Sequence, residues 1–197
     1  DALVQYADIL PTLVDLAGGK PGAHSYDGSS FRDALFGKKQ THRRFVYGVH
    51  NNIPEGPPYP IRSVNDGDYH YIRNLLPDEI YIEKHLMGVR GNGALNNPYW
   101  GTWIWDSWNT PRSYRLVKRF MHRPAEHLYH VTDDPYEMNN LAGDKAQAKR
   151  LAKLRAELDR WMKAQNDPGA AVDTPEAIRA SKEGRHLHGR PTTKSIR

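Results

Sequence analysis

Two alternating apolar runs joined by an Asp-Gly turn sit in the middle of this 197-residue chain and restrict its fold more than any other feature. In YPIRSVNDGDYHYIRNLL, residues 59 to 76, side chains change face with period two on either side of Asp66-Gly67. That pattern predicts a β-hairpin with one face on a core. An isolated hairpin is marginal in water, so further strands or a helix must cover it. RFVYGVH (residues 44 to 50) and EHLYHVT (residues 126 to 132), β-branched and aromatic, supply strand candidates.

The helical signals flank this sheet. In DILPTLVDLAGG, Asp8 reads as an N-cap, Pro11 is tolerated in the first turn, and Ile9, Leu10, Leu13, Leu16 and Ala17 recur at helical spacing until Gly18 and Gly19 stop the run. The apolar stripe needs a partner surface, and the next piece, SYDGSSFRDALFGKKQ, offers only a glycine turn and one short helical turn. A partner upstream of Asp1 is expected. A second helix is predicted from Pro111 to His122, and a third from Lys145 to about Gln165. The third is capped by Asp144, with Gln147 in capping-box position, and aligns Leu151, Leu154, Leu158 and Trp161 on one face. Asn51 to Tyr59 is too rich in Pro and Gly for regular structure and is expected as an exposed loop held by the sheet at both ends. Pro77 to Asn109 carries four glycines beside Trp100, Trp103, Trp105 and Trp108. Such a cluster either covers a hydrophobic surface or forms a sugar-stacking platform. From Asn166 onward periodicity vanishes and a loosely held tail is expected.

Composition removes several classes of function. No apolar run approaches the roughly 18 residues of a bilayer span, so no membrane-spanning role is expected. With no cysteine, disulfides, thiolate zinc sites and a cysteine nucleophile are excluded within these residues. The net charge of +5 is concentrated from Glu176 onward, where six Lys and Arg face two Glu. The body is near neutral and lacks the basic, aromatic-studded face of a nucleic-acid binder. Asp1 opens no secretion signal, and the chain reads as starting in mid-protein.

Three segments, in this order, resemble the C-terminal part of a sulfatase of the alkaline-phosphatase-like superfamily. They are DILPTLVDLAG followed by YDGSSFRDALFG, then YPIRSVNDGDYHYIRNL, then HLYHVTDDPYEMNNLAG, which is similar to the Leu-Tyr-x-x-x-x-Asp-Pro-x-Glu-x-x-Asn-Leu signature that closes many sulfatases. The resemblance covers residues 1 to 165. The YPIRSV strand, the VYGVHNN loop and the Trp-rich insertion look most like the heparan N-sulfatase (sulfamidase) branch. It implies an α/β class that is α+β in this chain. Residues 1–40 would end the catalytic domain, 41–165 would form a subdomain of antiparallel sheet packed by a C-terminal helix, and 166–197 a basic, loosely ordered tail. The intact enzyme would take sulfate ester or N-sulfate from a sulfated sugar of a heparan-type glycan. It would use a formylglycine made from C-x-P-x-R and a Ca2+ ion, and would be periplasmic or secreted. No such motif occurs in this chain, so nucleophile, calcium ligands and basic clamp are expected upstream, with no catalytic or metal-binding residue in these 197. The rest of the catalytic domain is then the protein partner.

What this chain would add is a wall of the substrate pocket. His50, Asn51 and Asn52 leave a strand end and Arg62 begins the next strand, so imidazole, amides and a guanidinium would face an anionic sugar. The competing readings are plain ones: Arg62 pairs with an internal carboxylate, and His50 is a satisfied strand-end histidine. His70, His85, His122, His127 and His130 lack metal-ligand spacing. Asp133-Asp134 resembles a calcium pair but reads as a tight turn before Pro135, with Asn139 or Asn140 taking the left-handed conformation or capping the next segment. The rival classes are a related phosphodiesterase or phosphatase, a stand-alone module binding sulfated glycan through Arg62 and the tryptophans, and a purely structural domain.

Overall fold

A computed structural model describes residues 2–52, 57–88, 97–172 and 174–183. The elements in order are α1 (Ile9–Leu16), α2 (Arg32–Leu35), β1 (Val46–His50), β2 (Ile61–Asn65), β3 (Tyr69–Asn74), α3 (Lys84–Met87), α4 (Pro98–Ser107), α5 (Pro111–Met121), β4 (Glu126–His130), α6 (Ala148–Ala164) and α7 (Pro175–Lys182), with short 3-10 turns between some of them. Two compact units emerge, one of Asp1–Gly48, Ser63–Ile72 and His127–Leu158, the other of Val49–Arg62, Arg73–Glu126 and Asp159–Arg197.

The four strands form one sheet in the order β1-β2-β3-β4. The hairpin closes as its sequence predicts: Asp66 N–H donates to Tyr69 O at 3.1 Å, and Gly67 takes φ +98° at the first of the two loop positions, where a Cβ would be strained. Asn65 Oδ1 accepts from Gly67 N at 2.7 Å and Asp66 Oδ1 from Tyr69 N at 2.9 Å. β4 runs antiparallel to β3, with Val131 N–H on Asp68 O at one end and Asn74 N–H on Ala125 O at the other.

In the first unit α6 lies over this sheet. Leu151, Leu154 and Leu158 are buried at i, i+3 and i+7, each contributing roughly 1.5–3 kcal/mol of burial. Tyr47 Oη donates to Glu157 at 2.5 Å, and the Arg150 guanidinium sits 4.1 Å over the Tyr69 ring. Asp144 Oδ1 accepts from Ala146 N at 2.9 Å and opens the preceding 3-10 turn, so the N-cap is where the sequence places it.

Helix α1 departs from expectation. Asp8 stands at the N-cap position of α1, where its sequence places it, but its backbone is right-handed helical and its side chain caps no N–H of the helix. Its buried carboxylate instead accepts from Gln5 N, Ser29 N and both arms of the Arg43 guanidinium. Burial pushes this carboxyl up, but the hydrogen bonds from Arg43, Ser29 and Gln5 outweigh it and hold the group well below the usual carboxylate range. The face of α1 turned inward is Asp8, Pro11, Thr12 and Asp15. Thr12 Oγ1 donates to Asp8 O at 2.6 Å and accepts from Phe31 N at 3.1 Å, and Ser30 Oγ donates to Asp15 at 2.6 Å. The close approach explains the Asp-Gly-Ser segment, because a Cβ on Gly28 would stand 2.1 Å from Ala7 O. Ile9, Leu10, Leu13 and Leu16 are left exposed on the opposite side, joined by Val4, Tyr6, Leu35 and Phe36. Within this unit the helix is polar side in, apolar side out.

The Asp-Pro signature is a turn, as its sequence predicts. The Asp134 carboxylate accepts from Met138 N at 2.8 Å and Asn139 N at 2.7 Å, and Asn140 Oδ1 braces β4 through Leu128 N at 2.9 Å. The left-handed residue is Glu137 (φ +53°) rather than an asparagine. Its carboxylate reaches the His70 ring at 2.6 Å, an anchor that fixes this position from outside the turn.

Candidate functional site

The second unit brings together the four residues singled out for substrate contact. β1 ends at His50 and β2 begins at Ile61, so the chain leaves and re-enters the sheet beside Arg62. Alternation along β2 turns Arg62 and Val64 to the buried face, and Arg62 is 1% exposed. Its guanidinium is fully committed. Nε donates to Asp167 Oδ2 at 2.5 Å and Nη2 to Asp167 Oδ1 at 3.0 Å, a two-point pair. Nη1 donates to Asn51 Oδ1 at 2.8 Å and to the carbonyls of Ile61 and His50 at 2.9 and 3.2 Å. The internal-carboxylate reading of Arg62 therefore describes its contacts, and through Asn51 and His50 it fixes where β1 ends.

Asn52 is buried at φ +58°, a conformation asparagine tolerates. Its Nδ2 donates to Pro57 O at 2.5 Å and Ile82 O at 3.2 Å, pinning the loop at its base. Tyr59 and Pro60 at the other end are also buried, so the loop expected to be exposed is anchored inside at both ends; residues 53–56 lie outside the described residues. His50 and Asn51 retain access to solvent. The His50 ring packs edge-on to Tyr81 at 5.9 Å. Partial desolvation and then the Arg123 charge hold its imidazole below the ordinary histidine value, with Glu83 and Asn52 opposing. It is thus neutral at pH 7.

An aromatic stack supports this edge. Tyr81 meets Tyr59 at 5.1 Å and Phe120 at 5.5 Å, Phe120 meets Trp100 at 5.5 Å, and Arg123 lies 3.8 Å over the Tyr81 ring. Burial raises the phenols of Tyr59 and Tyr81, which stay protonated. Trp100 is therefore a core residue, whereas Trp103, Trp105 and Trp108 are exposed.

Sequence reasoning missed Asp167, which falls in the stretch read as a loose tail. The start of that stretch is tied down: Asp167 pairs with Arg62, its Oδ1 accepts from Gly169 N at 2.9 Å, and α7 follows. The available signal was Asn166-Asp167-Pro168-Gly169, a turn whose aspartate must find donors. A concavity of about 500 Å³ lies in the first unit among Tyr69, His130, Asp133, Asp134, Asn139, Leu141 and Gln147. There the Asp134 oxygens are spent on the turn, and Asp133 bonds His130 Nδ1 at 2.7 Å. Among the described residues no three His, Cys, Asp or Glu side chains converge as a metal ligand set.

The homologues of this chain are sulfatases, and so are the solved structures on which its α+β arrangement superposes. Two ulvan-active sulfatases of Formosa agariphila are 33% and 27% identical over 91% and 97% of the chain, and the human N-sulphoglucosamine sulphohydrolase is 23% identical over 92% of it. The chain spans about a third of the length of these curated relatives (34%, 30% and 36%). Among solved structures, a protein from Bacteroides thetaiotaomicron described as a putative sulfatase and a 2-O GAG sulfatase superpose with TM-scores of 0.52 and 0.51 at 27% and 26% identity. Each match covers 81% of this chain and 25% of the other. No protein-family model matches the chain.

Proposed function

We propose that this chain is the C-terminal portion of a sulfatase that removes sulfate from a sulfated sugar, and that its role is to buttress a reactive centre carried by the remainder of the enzyme. The observation that carries the reading is α1, whose leucines face outward from a polar, hydrogen-bonded inner face. An apolar stripe left bare in this way calls for a partner surface, and the relatives, three times as long, have the chain to supply one. The human relative's name supports a sulfated amino sugar as substrate, and the name ulvan-active supports a polysaccharide.

Neither of the cofactors implied by the resemblance fits the described residues. A formylglycine needs a C-x-P-x-R precursor, which the chain lacks, and calcium needs six to eight oxygens where no ligand cluster forms. Both belong to the part upstream, and no step is assigned through them. The chain by itself is inactive in this reading, and the enzyme acts outside the cytoplasm. The chain contributes at the substrate edge. Neutral His50, one ring nitrogen of which is hydrogen-bonded to the Asn52 side chain, offers the other to a sugar hydroxyl, Asn51 offers its amide N–H, and Arg62 holds Asn51 in place.

The test is to read the frame upstream for C-x-P-x-R, express the whole, and measure sulfate release from sulfated amino sugars with His50→Ala and Asn51→Ala. Each variant is expected to raise KM by about tenfold, the loss of a hydrogen bond or two, with kcat less affected. A frame lacking the motif, or unchanged KM in both variants, overturns this reading.

A further inference from the structure

The second unit carries a surface that the proposed pocket does not use. Helices α4 and α5 form an antiparallel hairpin whose junction is locked by Asp106: its carboxylate accepts from Ser113 Oγ and, at 3.0 Å, from Thr110 Oγ1, and its carbonyl accepts from Thr110 N at 2.9 Å. These bonds hold it below the usual aspartate value. The hairpin carries two groups of exposed side chains. On α4, Trp105 and Trp108 are 66% and 73% exposed with ring centroids 5.5 Å apart. The helix position one turn before Trp105 is Gly101, beside which a Cβ would meet nothing within 4 Å. On α5, Arg112, Arg115 and Lys118 lie on the exposed arc, while Val117, Phe120 and Met121 turn inward. From Ser107 to Ala125 the sequence is rich in Lys and Arg and has no carboxylate.

An amphipathic basic helix with tryptophans nearby also describes a membrane-surface segment. Here part of the apolar side of α5 is already used, because Phe120 packs on Trp100 and Tyr81. What remains outside, besides the exposed Trp103, Tyr114 and Leu116, is a row of cations and two paired indoles. Flat rings stack on the C–H face of a pyranose and guanidinium groups pair with sulfate oxygens. We propose that this face of the α4–α5 hairpin is a docking surface for a sulfated polysaccharide, gripping the chain away from the His50 edge through Trp105 and Trp108 and through Arg112, Arg115 and Lys118. The choice of ligand rests on the sulfated-sugar reading above.

The experiment uses the full chain with heparin as the sulfated probe, unsulfated heparosan as its comparison, and vesicles of phosphatidylserine and phosphatidylcholine. Heparin is expected to bind with an affinity that falls steeply with salt, and heparosan and vesicles to bind far more weakly. Trp105→Ala with Trp108→Ala should weaken heparin binding about tenfold. Arg112→Gln with Arg115→Gln and Lys118→Gln should weaken it at least as much and flatten the salt dependence. All five positions are exposed, so melting temperatures should hold, and the charge set stands as the test should the tryptophan set fail to fold. Arg190→Ala with Lys194→Ala and Arg197→Ala, in the basic C-terminal stretch, should cost less than about twofold. The proposal is overturned if heparin affinity survives both hairpin sets, if the C-terminal set alone abolishes it, or if vesicles bind as tightly as heparin and lose binding with the same variants. Sulfate release by the intact enzyme is a separate readout, so the two readings fail independently.

Discussion

Leu13 on α1 and Leu154 on α6 are the same residue type in two amphipathic helices, yet the first is 56% exposed and the second wholly buried. Truncating Leu154 to Ala removes buried methyls and leaves a cavity, at a cost of about 2–5 kcal/mol. Leu13→Asp falls at a position more than half exposed, and surface substitutions of this kind stay within about 0.5 kcal/mol. Urea unfolding of the chain, followed by far-ultraviolet circular dichroism, should separate the two by more than about 2 kcal/mol at equal m, with Leu13→Asp also reducing self-association at high concentration. In the intact enzyme the ranking changes, because Leu13 then carries a burial term like that of Leu154. Should Leu13→Asp unfold the isolated chain as readily as Leu154→Ala, the outward face of α1 is already covered within the chain and the argument for a missing partner fails.

Asp167→Ala strands a guanidinium that is 1% exposed, and should cost about 3–5 kcal/mol in urea unfolding; breaking the exposed pair Arg179–Glu176 with Arg179→Ala should leave the urea midpoint nearly unchanged. Near-equal losses would refute the clamp. Asp8, Asp167 and Glu137 all titrate below their ordinary values in the folded chain. Their stabilisation is therefore present above the unfolded values, 3.8 for aspartate, and is lost as pH falls through the folded ones, so the urea midpoint should drop steadily below that pH and drop less in Asp8→Asn. For His50 the sign is reversed in charge: a depressed imidazole should titrate below 6.5 by NMR, and a value above it would contradict the packing against Tyr81 and Arg123. Gly28→Ala forces a Cβ against Ala7 O and should cost at least about 1–3 kcal/mol.

The hairpin, the flanking strands and helices α5 and α6 were legible because each rests on local periodicity and a turn whose chemistry is self-contained, as at Asp66-Gly67, whereas α4 was hidden in a stretch whose glycines and tryptophans give no helical period. Asp8 was legible as a polar residue at a helix start but not in its role, since its partners Ser29 and Arg43 stand 21 and 35 residues away. The leucines of α1 announced an amphipathic helix without saying which face the chain itself would bury. At the candidate site, the pairing of Arg62 with a carboxylate was legible in kind, but Asp167 lies 105 residues on, in a segment whose composition resembles a loose tail. The closing Asp-Pro turn was readable in full except for Glu137, whose left-handed backbone is held by His70 on a neighbouring strand.

Sulfate release from an aryl sulfate tests the central claim most directly, measured for this chain alone and for the chain joined to the upstream part in its formylglycine form with calcium. The account predicts no turnover from the chain alone, turnover from the joined protein, and its loss when Leu10→Asp and Leu13→Asp are introduced. Turnover by the purified chain alone, or full activity of the joined protein with both leucines replaced, would contradict it.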